Sequence, residues 1–151
     1  MSMRGVRTLT DNEGFELAGY QKKMLTMHAT AYITIVNEAG QKMAVATIKK
    51  QSNFQFESSA DIYLHNPPMS LDNVTTSGLP VAIHVEGDFR SKKYDFMMGN
   101  LQTNPYKIAQ VVRKFKMFHE NNTYFVEIGR NVDIAFISLC AYAIDEIFSD
   151  D

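Results

Sequence analysis

The sequence predicts a mainly β fold, an antiparallel barrel of about nine strands enclosing one apolar C-terminal α-helix. Three observations predict it. Polar and apolar residues alternate with period two through most of the chain, as strands with one buried face require. Short turn motifs with glycine or asparagine separate these segments. The one long apolar run, "VDIAFISLCAYAI" at 132–144, stands near the C-terminus and carries eleven uncharged residues after Asp133.

Taken in order, "RGVRTL" and "FELAGY" flank "DNEG" at 11–14, a turn between two strands. "TAYITIV" and "KMAVATIKK" flank "NEAGQ", a hairpin loop with its glycine. In "NFQFESSADIYLHN" the even positions Phe54, Phe56, Ile62 and Leu64 are apolar, while Asn53, Gln55, Glu57, Asp61 and His65 are polar. "VAIHVEG" repeats the pattern, and "TYFVEIG" places Tyr124, Val126 and Ile128 on one face. The stretch "NPPMSLDNVTTSGLP" at 66–80 reads as an irregular excursion from a β-rich domain. That domain is expected to span residues 1–151.

The helix is expected from Ile134 to Ile147, with Asn131 as N-cap and Asp133 in the first turn, where a carboxylate suits the positive helix end. Its apolar residues do not keep to one stripe. Ile134, Phe136, Ile137, Leu139, Cys140 and Ile144 are therefore expected to be enclosed. At about 1.5 Å per residue the run reaches roughly 20 Å, short of the roughly 30 Å of a bilayer core. It is expected to be the axle of the barrel, not a transmembrane segment.

Composition narrows function mostly by exclusion. The chain has 151 residues and a formal net charge of −2, and its pI of about 6.1 offers no global basic field for nucleic acid. One cysteine, Cys140, excludes an intrachain disulfide. "MSMRGVRTLTDNEG" has no apolar signal-peptide core, so a cytoplasmic location is expected, with peripheral membrane association. Gly-rich phosphate loops, HExxH, GxSxG and CxxC are absent, and His28, His65, His84 and His119 are solitary. No catalytic residue, cofactor or metal is expected, and the histidines read as strand-face or turn residues.

Basic residues cluster on this slightly acidic chain. Lys22-Lys23, Lys49-Lys50, Arg90-Lys92-Lys93 and Arg113-Lys114-Lys116 each stand at the end of a strand candidate. Brought to one face they would form an anion site suited to a phosphoinositide headgroup. The candidate headgroup residues are Lys22, Lys23, Arg113, Lys114 and Lys116. Left apart, they are solvated strand ends that discourage edge pairing. An internal echo links two of the clusters: "QKKMLTMHATAYITI" and "VRKFKMFHENNTYFVEI" both run from a basic pair through a histidine and a turn into a strand.

At these residues the chain resembles the LURP-one-related family of the Tubby C-terminal-like superfamily, which includes the phospholipid scramblases. "YFVEIGRNVDIAFISLCAYAIDEI" carries the strongest likeness, a strand followed by the apolar helix with its acidic end. "VEGDFRSKKYDF", "KKMLTMHATAYITI", "AVATIKK" and "ADIYLHN" follow the family's order, so the resemblance spreads over nearly the whole chain. It implies a twelve-stranded antiparallel barrel around the C-terminal helix, here reduced by about three strands. A protein partner or a second copy is then expected at the open strand edge. "ENNTYFVEIGRN" has only Glu120 and Glu127 where scramblases have an acidic calcium-binding segment, so no calcium site is expected. The likeness to Tubby proteins implies phosphoinositide binding through basic residues. The expected function is a non-catalytic binding module for anionic membrane or phosphoinositide; the alternative is a protein-interaction scaffold pairing through that edge.

Overall fold

The structure, a computed structural model, describes residues 6–23, 29–52, 58–114 and 123–148. The alternating segments there form nine strands of one sheet: β1 (Val6–Thr10), β2 (Glu16–Lys23), β3 (Thr30–Val36), β4 (Lys42–Ser52), β5 (Ser58–Ser70), β6 (Ile83–Asp88), β7 (Lys93–Asn100), β8 (Asn104–Lys114) and β9 (Thr123–Ile128). Strand order follows chain order, and each strand is antiparallel to the one before it. The two halves of the internal echo are the β2–β3 and β8–β9 units, with His28 and His119 outside the described residues.

The turns explain the registers. Asp11 Oδ1 accepts the N–H groups of Glu13 and Phe15, both at 2.9 Å, and so closes the β1–β2 turn. Asn37 Oδ1 does the same for Ala39 and Gln41 between β3 and β4. Both are Asx-type closures, in which a short side chain supplies the acceptor for amides that have left the ladder. The excursion expected over 66–80 begins later. β5 continues to Ser70, which pairs with Met43 beyond an irregularity between Ala44 and Ala46. Asn66, Pro67 and Pro68 fall in that irregularity, where a missing N–H donor does no harm to the ladder.

The helix α1 (Ile134–Phe148) follows β9. Its N-cap is Asp133, whose Oδ1 accepts the Phe136 N–H at 2.9 Å, while its carbonyl accepts from Ile137. Asn131, expected as the cap, instead takes a left-handed turn at φ 60° on the way in. Ile137, Leu139, Cys140, Ala141, Ala143, Ile144, Ile147 and Phe148 are buried against inward residues of the sheet, including Ile33, Ile48, Ile62, Val85, Phe96 and Val111. Small residues on both sides, Ala31, Ala46, Ala60 and Ala109 among them, let helix and sheet approach closely. Each large aliphatic side chain buried here contributes about 2 kcal/mol before entropy is subtracted. Cys140 is fully buried, and burial pushes its thiol pKa upward.

Two expectations need correction. The helix is not enclosed on every side: Ile134 is 68% exposed in the first turn, Phe136 is half-buried, and Tyr142 is 53% exposed. The sheet is not closed either, because among the described residues no ladder joins β1 to β9. Nine alternating strands leave the two edge strands running in the same direction, so closure would need a parallel pair, the weaker geometry. α1 packs against β2, β3 and β4 on one flank and β9 on the other. No helix among the described residues is long and apolar enough to cross a membrane.

Candidate functional site: the basic end of the sheet and a covered outer face

Simple alternation of strands sorts the connections between two ends. One end receives the chain between β2 and β3, β4 and β5, β6 and β7, and β8 and β9. The helix starts at the other end and brings its C-terminus back to this one. Lys22-Lys23 close β2, Lys49-Lys50 approach the end of β4, Arg90-Lys92-Lys93 form the β6–β7 turn, and Arg113-Lys114 close β8. Nine of the 15 Lys and Arg residues therefore share one end. Among the described residues they outnumber the carboxylates of the same stretch, Asp61, Glu86, Asp88, Asp95, Asp145 and Glu146. Turns at the opposite end carry Asp11, Glu13, Glu38 and Asp133.

Within that end, several side chains are already committed. Lys92 Nζ pairs with Asp145, which compensates a carboxylate at the unfavourable end of α1. Lys50 Nζ lies over the Phe148 ring, 4.7 Å from its centroid. Asp88 accepts the Ser91 N–H at 3.0 Å and its O–H at 2.8 Å. Those bonds, the backbone one first, hold its carboxyl below the usual range and brace the turn. Arg90 and Lys93 are exposed. Of the sequence-predicted headgroup residues, Lys116 lies outside the described residues, as do the side chains of Lys22, Lys23, Arg113 and Lys114; the strands bring the backbones of those four to one end.

A second feature had no sequence signal. After β5 a short 3-10 turn, Leu71–Asn73, leads the chain back over the outer face of β3, β4 and β5. Lys49 Nζ donates to Thr76 Oγ1 at 2.6 Å and stands 5.6 Å from the Tyr63 ring centroid. The Ala82 N–H donates to Ile62 O at 2.9 Å and returns the chain to the sheet. Between residues 74–77 and the strands lies an open-mouthed cleft of about 470 Å³. Burial, and then the charge of Asp61, push the Tyr63 pKa upward, so its hydroxyl stays a donor. Thr47, also on this face, is 2.7 Å from His65 Nε2 through its Oγ1. His65 is 5% exposed, far more buried than a solvated strand-face residue, and burial pushes its pKa down. Alternation placed Asp61, Tyr63 and His65 on the outer face, but the cover comes from residues distant in sequence.

Next to the cleft, His84 Nδ1 is 2.7 Å from Asp61 Oδ1 and its Nε2 is 3.6 Å from Glu86 Oε2. A carboxylate can only accept, so the ring donates to Asp61. Among the described residues no three His, Cys, Asp or Glu side chains are grouped to hold a metal ion.

No curated protein and no solved structure matches this chain. The LURP-one-related family profile does, over residues 1–145. That range runs from the N-terminal hairpin to the Asp145 that Lys92 holds, taking in every strand and nearly all of the helix. With the ordered nine-stranded sheet and its single terminal helix on the same residues, the chain belongs to the LURP-one-related family.

Proposed function

We propose that the protein is a non-catalytic binding module that docks on anionic membrane, phosphoinositide headgroups foremost, through the basic end of its sheet. The observation that carries this reading is the gathering of nine lysines and arginines at one end of a chain whose net charge is −2. Each basic residue brought to an anionic surface contributes about 1 kcal/mol, and salt weakens the attraction. Acidic turns at the opposite end are repelled from the same surface, which orients the molecule. The test is vesicle co-sedimentation with neutral, phosphatidylserine and phosphoinositide vesicles at low and high salt. Binding should be salt-sensitive, selective for anionic vesicles, and much reduced by Arg113→Glu, Lys114→Glu and Lys116→Glu together. Equal binding by that variant removes the reading.

A second reading, a protein-interaction scaffold, is favoured by the open seam. Leu9 of β1, Phe125 of β9, and Ile134 and Tyr142 of α1 are all exposed on elements bordering it. β1 and β9 run the same way, so one extended segment of another polypeptide, antiparallel to both, would satisfy both strand edges. A strict monomer whose β1 and β9 amides are fully protected from hydrogen exchange would sink this reading.

A further inference from the structure

The seam between β1 and β9, which no ladder joins among the described residues, has a charge at each end and an apolar side. Both strands run from the basic end of the sheet to the opposite one. There β1 reaches Asp11 and Glu13, and β9 reaches Glu127 and the Asp133 cap. Arg130 is the only cation among the described residues of these two connections. At the basic end the neighbouring strands β2 and β8 close on Lys22-Lys23 and Arg113-Lys114. The helix carboxylates at that end are Asp145, held by Lys92, and Glu146. Between the ends, Leu9 lies opposite Ala18, which packs against the core, so exposed Leu9 belongs to the inner face. Ile134 and Tyr142 share one exposed stripe of α1.

We propose that the seam takes an extended segment of another protein with a fixed polarity: Lys or Arg at its N-terminal end, alternating apolar residues, then Asp or Glu at its C-terminal end. The inference rests on the scaffold reading and names the chemistry of its partner. Polarity follows from the two edges. Because β1 and β9 run the same way, a strand antiparallel to both enters at the acidic turns and leaves at the basic end. Its first residues then meet Asp11, Glu13, Glu127 and Asp133, and its last ones meet the strand ends that carry Lys22, Lys23, Arg113 and Lys114. A segment with the opposite order of charges would be repelled at both ends. Spacing follows from the helix. Ile134 and Tyr142 are about 12 Å apart along α1, a distance that a strand covers in about four residues. That step is even, so the side chains meeting the two residues project from one face of the segment, and this face must be apolar. The alternate side chains face water. β1 offers five residues and β9 six, so the paired part is short, and the apolar face supplies contact that backbone pairing alone lacks.

The test is an amide-shift titration of the isotope-labelled full chain with a synthetic peptide reading Lys-Lys, three Thr-Val repeats, Glu-Glu, and with the same residues in reverse order. The first peptide should give saturable shifts in β1, β9 and residues 134–142. The reverse peptide can match either the charges or the antiparallel ladders but not both, and should bind at least fivefold more weakly. A nitroxide on the first lysine of the forward peptide should broaden the amides of residues 11–14 and leave those of 112–114 sharp. Glu13→Lys with Glu127→Lys should weaken binding at least tenfold, and so should Ile134→Asp, at an exposed position, with the spectrum otherwise intact. Unchanged binding by either variant would overturn the proposal. Broadening at 112–114 instead, or equal binding of the two peptides at β1 and β9, would overturn the polarity while the scaffold reading stands. Self-association through β1 or β9 that the peptide does not reverse would overturn the proposal in favour of a second copy. No localised shift with either peptide would overturn it too, and the scaffold reading falls with it only where the β1 and β9 amides of the free chain are fully protected from exchange.

Discussion

Phe148, in the last turn of α1, stacks on Phe89 of the β6–β7 turn with ring centroids 3.9 Å apart and planes within 1° of parallel. Lys50 Nζ lies over the Phe148 ring as well, and Lys92 in the same turn holds Asp145. The helix end is thereby clamped to the two β-segments that carry part of the basic cluster. Both rings are buried, Phe89 at 6% and Phe148 at 8% exposure. Phe148→Ala should cost about 3 kcal/mol, at the lower end for a buried aromatic because the site is at the rim. Phe148→Leu should cost less than half as much. Chemical denaturation of the two variants checks this; equal losses would mean that refilling the volume recovers nothing at this site, against the prediction.

The helix offers an internal control for its own burial. Ile137 has no exposed surface, whereas Ile134, one turn earlier, is 68% exposed. Ile137→Asp places a carboxylate in an enclosed apolar site and should cost more than about 4 kcal/mol or prevent folding. Ile134→Asp should lie within about 0.5 kcal/mol of the parent. Expression and melting of the two variants side by side give the answer. Similar losses for both would show that α1 is not seated as described.

Gly87 pairs with Tyr94 at the mouth of the β6–β7 turn, with φ at 146°. A Cβ there would sit 2.5 Å from the Lys93 carbonyl oxygen and 2.6 Å from the Tyr94 Cα, both backbone atoms that cannot step aside. Gly87→Ala should destabilise by about 3 kcal/mol, the sum of backbone strain and a displaced strand. Gly40→Ala, where a Cβ would meet nothing, is strained only by its φ of 77° and should cost about 1 kcal/mol. Denaturant midpoints distinguish them, and a Gly87→Ala loss no larger than that of Gly40→Ala would contradict the close approach.

His65 gives a pH dependence with a definite sign. Burial holds its pKa below the ordinary 6.5, so the unfolded chain takes up the proton more readily than the folded one. Its contribution is fully present above pH 6.5 and is lost as the pH falls below that value, down through the depressed folded pKa. His65→Gln should flatten this part of the stability profile while keeping a polar partner for Thr47. Denaturant midpoints of both proteins above and below pH 6.5 measure the difference. Parallel profiles would show that His65 does not titrate on unfolding.

Much of the fold was legible because its signals are local. Alternation at Ile62, Tyr63 and Leu64 sets which face of β5 is inward, and "DNEG" and "NEAGQ" close turns through Asp11 and Asn37 within a few residues. The basic pairs were visible too, and so was their place at strand ends. Their gathering at one end was not legible from the residues themselves. It follows from an ordered sheet without crossovers, a property of the whole set of pairings.

What the sequence by itself determined is therefore the β class, the strand periods, the C-terminal helix and its length. These depend on spacing along the chain. Tertiary structure alone decided three things: the exposed stripe through Ile134 and Tyr142, the outer edges of β1 and β9 that no ladder joins among the described residues, and the cover over Lys49, Thr47 and His65. Each depends on which surfaces meet across long separations in sequence, such as the one from Lys49 to Thr76. Periodicity says that a face will be apolar or polar; it cannot say what comes to rest against it.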